Sequence, residues 1–197
     1  MSVLESVSWW PVLAAAMLAF AEAALGLGAV LPGEVAIVAL ASGLNGTSTT
    51  VAILAVALAA STGDHVGYVL GRVYGTKLAE TRLVEKVGRD KWDAATRLTQ
   101  RYGVPALLVS RLLPFVRTLM PAVAGVAGLN YRRFVIASIL GSLLWSLLWV
   151  GAGGLVSTAG ILDDPQTLIV ALILAAIALL AAKRGLGWLK AQAGPAL

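Results

Sequence analysis

The chain has 197 residues, of which 59% are hydrophobic and only 13% are charged, and its mean hydropathy is +0.87. A soluble domain carries about 25% charged residues. The composition therefore excludes an ordinary soluble protein and predicts one polytopic membrane domain over residues 1–197. The net charge of +5 does not predict a nucleic-acid partner, because the basic residues are spread over loops between apolar segments. The absence of cysteine excludes disulfides, thiol catalysis and cysteine metal ligands.

Residues 9–50 predict an apolar helix followed by a first re-entrant hairpin, a short helical pair that enters the membrane and turns back. Glu22 interrupts the apolar helix about 20 Å along its axis. A stretch rich in Gly and Pro weakens the helix just before Glu34, and Val35 to Leu44 then forms a second short apolar arm. An ordinary helix kinked at Pro32 is the alternative interpretation.

Residues 51–75 predict a full-length transmembrane helix rich in Ala and Val. Glycine recurs at every fourth position on one face, which lets another helix approach closely within the protein or in a homo-oligomer. Asp64 and His65 lie in the second half of this helix, but one histidine beside one aspartate more often forms a packed polar pair than a metal site. The predicted helix-packing residues are Gly63, Gly67, Gly71 and Gly75.

Residues 76–103 predict amphipathic helices on the membrane surface, interrupted near Gly88. The segment carries seven Lys or Arg residues against four acids, beside a discontinuous apolar face. By the positive-inside rule, this excess of basic residues places the segment in the cytoplasm.

Residues 104–130 differ most from an ordinary transmembrane helix and predict a second re-entrant hairpin. Arg111 and Arg117 lie in an apolar run, and Pro114 and Pro121 flank Arg117. Proline breaks the helical ladder, and an arginine at membrane depth must face protein or water. The apolar arms on either side are ten and eight residues long, so each reaches roughly half of a ~30 Å hydrocarbon core. The charged tip of this hairpin is therefore expected to be buried in the protein.

Residues 134–160 and 165–188 predict two further transmembrane helices, joined by an acidic turn at Asp163–Asp164. The basic pair Arg132–Arg133 and the basic residues after the last helix indicate cytoplasmic ends, so the C-terminus is expected in the cytoplasm. With this topology the two hairpins enter the membrane from opposite sides. That arrangement is typical of inverted repeats in transporters.

Five ionisable residues lie at membrane depth in this topology, where exposure to lipid would cost about 2.5–3.5 kcal/mol each. Arginine suits a phosphate group, because it forms bidentate charge-assisted hydrogen bonds. A buried carboxyl suits a proton carrier, because desolvation disfavours its charged form. The five form either a substrate and proton site or a set of structural ion pairs, and Asp64 has a local alternative partner in Arg72. These residues are Glu22, Glu34, Asp64, Arg111 and Arg117.

Three motifs resemble the DedA family of membrane proteins, also called the SNARE-associated or VTT-domain family. The resemblance extends over about residues 20 to 160. It implies two re-entrant hairpins that face each other, surrounded by transmembrane and amphipathic helices, in the bacterial inner membrane. The motifs are PGE at Pro32–Glu34, GDHVGYVLGR at Gly63–Arg72 and SRLLPFVRTLMPAVAGVAGLNYRRF at Ser110–Phe134.

The resemblance also implies transport of a phosphate-bearing membrane lipid, such as a phospholipid or undecaprenyl phosphate, with proton coupling as the usual proposal. The family's functional charges are two acids twelve residues apart and two arginines six apart. In this chain they correspond to Glu22 with Glu34 and to Arg111 with Arg117, and Glu34 stands where the family often has aspartate.

Two other functional classes remain as alternatives to lipid transport. One is a proton-coupled transporter of a small ion or solute, and the other is a non-transporting organiser that binds partner proteins through residues 77–102. No enzyme and no cofactor is predicted, because the sequence lacks a nucleophile–histidine arrangement, a Walker pattern and a phosphate-cradling Gly-rich loop.

Overall fold

The computed structural model of the chain describes residues 6–25, 33–44, 46–81, 84–85, 88–111 and 114–158. This part of the chain is helical and contains no β-strand. The predicted helix over 165–188 and the tip of the first predicted hairpin at Pro32 lie outside it. The helices are α1 (Trp9–Leu25), α2 (Gly33–Ser42), α3 (Gly46–Tyr74), the 3₁₀ helix Gly75–Glu80, α4 (Arg89–Tyr102), α5 (Val104–Ser110), α6 (Pro114–Val126) and α7 (Tyr131–Thr158).

Two of the described helices, α3 and α7, are long and apolar enough to cross a membrane. They contain 29 and 28 residues, so each is about 42–44 Å long, against a hydrocarbon core of about 30 Å. Their outer faces expose large apolar side chains such as Leu58 and Leu144, whereas serines and an aspartate are buried on their inner faces. This distribution suits a protein whose outer surface is covered by lipid.

Helices α1 and α2 pack against each other. The carboxylate of Glu22 on α1 lies directly against Gly33, the first residue of α2. Eleven residues of one continuous helix would separate these positions by about 16 Å, so the two lie closer than a continuous helix would bring them. The predicted kink at Pro32 lies outside the described residues.

The second predicted hairpin differs from its prediction in the position of the break. The sequence places a broken tip between Pro114 and Pro121, but α6 begins at Pro114 and continues through Pro121. A proline fits the first position of a helix, and an internal proline removes only one helical hydrogen bond. The ring of Pro121 packs beside Gly67 of α3, which has no side chain to obstruct it. Arg117 therefore projects from a continuous helix.

The amphipathic segment contributes one regular helix, α4, which begins directly after Gly88. Gly88 has a positive φ of 99°, a conformation that L side chains rarely adopt. Helix α4 buries Trp92 and Thr99, and its described charged side chains are exposed: Arg89, Asp90, Asp93, Arg97 and Arg101. It packs against α5 and α6 and so covers one end of the helical bundle.

The compact unit Met1–Leu155 contains two apolar cores. The first joins α1, α2, α3 and α7 and includes Trp145. The second joins α3, α4, α5, α6 and α7 and includes Met120 and Phe134. Arg117 contacts Trp145 of the first core and shares a cavity with Met120 and Phe134 of the second. The buried charges therefore lie between the two cores. The second unit, Val156–Leu197, is described only by the last turn of α7.

Candidate functional site

Arg117 is the centre of the candidate site. It is only 5% exposed and forms ion pairs with Glu22 of α1 and with Glu34 of α2, the latter at 2.7 Å. Its guanidinium also lies 4.5 Å from the ring centre of Trp145, a cation–π contact. One side chain thus joins α1, α2 and α6 to an aromatic ring of α7.

Gly33 lies directly beside the carboxylate of Glu22. A Cβ atom at position 33 would overlap Oε2 of Glu22, so a larger residue there would displace the end of this side chain. Glu34 follows in the first turn of the same helix, where a negative charge is also stabilised by the helix dipole. The Pro-Gly-Glu motif therefore positions both acids: its glycine leaves space for one and its glutamate supplies the other.

Arg111 lies in the turn after α5 and forms a second ion pair, with Asp64 of α3. Asp64 also accepts a hydrogen bond of 2.7 Å from Ser138 of α7, and Arg111 donates one of 3.2 Å to Ser142. Asp64 is 1% exposed, so its charge is neutralised entirely within the protein. The alternative partner considered for Asp64, Arg72, is exposed and does not form this pair.

Helix α7 supplies partners that the sequence analysis missed. Ser138, Ser142 and Ser146 are buried at every fourth position, and Ser146 donates to the carbonyl of Ile53 on α3. Gly141 lies among them, and a Cβ there would crowd the side chain of Arg111. The four-residue spacing that identified the glycine stripe of α3 would have identified this stripe as well. No comparable signal marks Trp145, because its contact with Arg117 depends on the fold.

A small cavity of about 10 Å³ lies between the two arginines and is lined by Asp64, Ser110 and Pro121 among others. That volume holds roughly one water molecule and is too small for a phosphate group. The described conformation is therefore closed around both guanidinium groups.

The site carries more acids than arginines. Three carboxyls face two guanidinium groups, which leaves an excess of one negative charge (3 − 2 = 1) when all are ionised. Two buried atoms, Oε2 of Glu22 and Nε of Arg117, have no hydrogen-bond partner among the described residues. Unpaired polar atoms in a buried site are costly, so this cluster has unused capacity to bind a proton or a polar ligand.

The four glycines predicted to pack against other helices lie in two different environments. A Cβ on Gly63 would overlap α1, and Cβ atoms on Gly67 and Gly71 would crowd Pro121 and the backbone of Ala122 on α6. Gly75 does not share this packing. It lies beyond the end of α3 with a φ of 52°, and a Cβ there would meet nothing within 4 Å. The backbone turn, and not a helix contact, explains why glycine occupies position 75.

His65 is a packed polar residue. Its Nδ1 lies 2.6 Å from the carbonyl oxygen of Ser61, and its ring makes edge contacts with Tyr131 and Phe134. Over the described ranges, no three His, Cys, Asp or Glu side chains converge as a metal site.

Comparison with known proteins places the chain in a family. The VTT domain model matches residues 31–155. Protein DedA of Escherichia coli K12 is 31% identical over 166 residues, which cover 82% of this chain and 76% of that protein. The inner membrane proteins YqjA and YghB of the same strain are 35% and 36% identical over 138 and 119 residues. These alignments cover 68% and 58% of this chain and 62% and 53% of the two relatives.

No solved structure matches the chain. The matched domain includes α2 to α6 and nearly all of α7, and therefore Glu34, Asp64 and both arginines. The alignment with Protein DedA covers most of both sequences. The chain therefore belongs to the DedA family of membrane proteins.

Proposed function

We propose that this protein moves a phosphate-bearing lipid across a membrane and that Arg117 binds the phosphate during translocation. The observation that carries the proposal is a buried arginine shared by two carboxylates from different helices. A guanidinium binds carboxylate and phosphate oxygens through the same bidentate charge-assisted hydrogen bonds. Glu22 and Glu34 therefore occupy positions that phosphate oxygens can take.

Binding of phosphate requires the acids to be exchanged for the ligand. The cavity beside Arg117 holds about one water, so α1 and α2 must move away from α6 before a phosphate can enter. A ligand produces such a change when it binds the open state better than the closed one. Arg111 is the second phosphate ligand in this scheme, and Asp64 releases it.

The excess carboxylate provides a route to proton coupling. When a phosphate displaces Glu22 or Glu34 from Arg117, the released carboxyl loses its neutralising partner within an apolar protein. Uptake of one proton restores its neutrality, because burial disfavours an unpaired charge. Binding of the lipid phosphate and uptake of a proton are then linked at one arginine.

The transported lipid is proposed to be a phospholipid or undecaprenyl phosphate in the bacterial inner membrane. The pairs α1–α2 and α5–α6 are proposed to be re-entrant hairpins of an inverted repeat, because the two facing pairs bring opposite charges together. The acyl chains remain in the bilayer while the headgroup crosses beside Arg117. In this topology the chain crosses the membrane several times and its C-terminus is cytoplasmic.

A proton-coupled transporter of a small ion is a second candidate. The small cavity favours it, because a hydrated or bare ion needs less rearrangement of α1 and α2 than a lipid phosphate does. Both candidates use the same arginines. They differ in whether labelled lipid or a soluble ion crosses the membrane.

The test is translocation of labelled phosphatidylglycerol, phosphatidylethanolamine and undecaprenyl phosphate in proteoliposomes, with and without a pH gradient. Arg117→Lys keeps the charge but loses the bidentate geometry. We expect it to reduce lipid translocation about 10- to 100-fold, as for the loss of one charged hydrogen bond. Arg97→Ala, at an exposed position of α4, is the matched control and should translocate normally.

Several outcomes separate the candidates. Unchanged lipid translocation by correctly folded Arg117→Lys contradicts the assigned role of Arg117. Movement of a soluble ion without any lipid movement favours the small-ion transporter. Absence of any transport, together with loss of a partner complex on changing the surface of α4, favours a non-transporting organiser.

A further inference from the structure

We propose a second, separate binding site for the phosphate of an anionic lipid headgroup, in the cleft between the end of α4 and the α6–α7 connection. The cleft has a volume of about 650 Å³, within the range of small-molecule sites. One wall is formed by Gln100 to Pro105 and the other by Ala127 to Asn130, with Arg133 on the first turn of α7.

The cleft presents positive charge from opposite walls. Arg101 and Arg133 line it and are both exposed, and none of the described lining residues is Asp or Glu. Neither arginine forms an ion pair with any described carboxylate. Arg72 lies beside one wall, because its Nη1 is 3.2 Å from where a Cβ would be on Gly128. Two arginines that line a concavity without an acid among its described residues match a phosphate group.

The wall formed by the α6–α7 connection is held in place by the rest of the fold. The hydroxyl of Tyr68 on α3 donates a 2.6 Å hydrogen bond to the carbonyl of Leu129. The side chain of Asn130 accepts a 3.0 Å hydrogen bond from the amide of Arg132 and so caps α7. Gly128 has a φ of 73°, which ends α6 and turns the chain into the cleft wall. A site fixed in this way loses little entropy when an anion binds.

The surroundings of the cleft favour a lipid over a soluble anion. Leu98, Tyr102 and Tyr131 on and beside its rim are about half exposed, at 51%, 51% and 50%. Tyrosines with an apolar ring and a polar tip are typical of the membrane–water interface. The guanidinium of Arg101 lies 5.3 Å from the ring centre of Tyr102, so a cationic and an apolar group are presented side by side. An amphiphile with an anionic headgroup complements both.

The cleft is distinct from the buried pair of arginines. None of its lining residues lines the cavity at Arg111 and Arg117. Binding there does not require translocation, so this inference does not depend on the proposed function. The two sites nevertheless share α5 and α7 as walls, which suits a headgroup that docks near the transport site.

The test is isothermal titration of the full-length protein in neutral detergent at fixed ionic strength. The probes are dihexanoyl phosphatidylglycerol, dihexanoyl phosphatidylcholine and inorganic phosphate. We expect phosphatidylglycerol to bind and Arg101→Ala and Arg133→Ala each to weaken it about tenfold, for one lost charged hydrogen bond. Arg132→Ala and Arg97→Ala are matched controls, because both arginines are exposed neighbours that do not line the cleft.

Each of the following results would contradict one part of the proposed site. Equal weakening by Arg132→Ala shows that general positive charge, and not the cleft, binds the lipid. Equal binding of phosphatidylcholine overturns the anionic headgroup, and equal binding of inorganic phosphate overturns the lipid. Loss of binding in Arg117→Lys but not in Arg101→Ala places the lipid at the buried site only. Circular dichroism confirms folding of each variant.

Discussion

At the scale of single residues, Asp64 and Arg111 form the pair whose role is most open. Asp64 is almost completely buried, and two serines of α7, Ser138 and Ser142, form hydrogen bonds with the pair. Breaking a buried ion pair leaves one uncompensated charge and costs about 3–5 kcal/mol, whereas replacing both partners by apolar groups is often neutral. This asymmetry can separate a structural role from a role in transport.

We expect Asp64→Leu alone to lower the free energy of unfolding by about 3–5 kcal/mol, because it leaves Arg111 unpaired. Combining it with Arg111→Met should recover most of that loss. Denaturant unfolding in detergent measures both variants, and Ser138→Ala, which removes one hydrogen bond to the Asp64 carboxylate, should cost less, about 1.5–3 kcal/mol.

Transport by the double variant decides the role of the pair. A stable double variant that still translocates lipid shows that the pair is structural, and a stable one that does not shows that Arg111 acts on the substrate. If Asp64→Leu alone leaves the free energy of unfolding unchanged, the buried ion pair with Arg111 does not stabilise the fold as expected.

At the scale of helices, the glycine face of α3 sets the distance to its neighbours. Cβ atoms at Gly63 and Gly71 would overlap backbone atoms of α1 and α6 respectively, and backbone cannot move aside as a flexible side chain can. Small residues at such positions bring helices close enough for buried side chains on both to meet. The ion pair between Asp64 of α3 and Arg111 beside α5 depends on this close approach.

Gly71→Ala and Gly75→Ala should therefore destabilise the protein for different reasons. Gly71→Ala is expected to destabilise the protein by about 1–3 kcal/mol through overpacking against Ala122. Gly75→Ala is expected to cost about 1–2 kcal/mol through its positive φ alone. Gly75→Asn should then recover stability, because asparagine tolerates that conformation, whereas Gly71→Asn should not. Thermal unfolding in detergent measures all four variants, and recovery by Gly71→Asn would contradict the packing explanation.

The helices also show how far the sequence predicts the fold. Hydropathy and the glycine spacing predict α3 and α7 well, because length and periodicity are local properties. The position of the break in the second predicted hairpin is not local. Pro121 lies inside α6, and its ring packs beside Gly67 of another helix. The predicted topology indicated that the acids and Arg117 could meet, but nothing in it indicated Trp145 or Ser142 as neighbours.

At the scale of the whole molecule, the charged side chains of the site lie inside the protein and large apolar side chains lie on its surface. Arg111 and Arg117 are each paired with a carboxylate of another helix, and the carboxyls exceed the arginines by one. Under the proposed function this excess links lipid movement to protons. Glu34 is the more accessible of the two acids at Arg117, with side-chain exposures of 13% for Glu34 and 5% for Glu22.

Glu34→Gln should uncouple lipid movement from the pH gradient. The glutamine amide can still accept a hydrogen bond from Arg117, but it cannot bind and release a proton as a carboxyl group can. We expect lipid translocation down its own gradient to persist while its acceleration by a pH gradient disappears. Parallel proteoliposome assays with and without a pH gradient measure this, and Glu80→Gln, at an exposed position outside the site, is the control. An unchanged response to the pH gradient would assign coupling elsewhere.

Glu22 and Arg117 are 95 positions apart in the sequence, so the acid is synthesised well before the arginine with which it pairs. At about 5–20 residues per second, the ribosome makes Glu22 roughly 5–20 s before the arginine that neutralises it. Through that interval α1 and α2 carry two acids with no internal cation, and neither helix is then suited to lipid. The N-terminal helices can complete their packing only after α6 has been made.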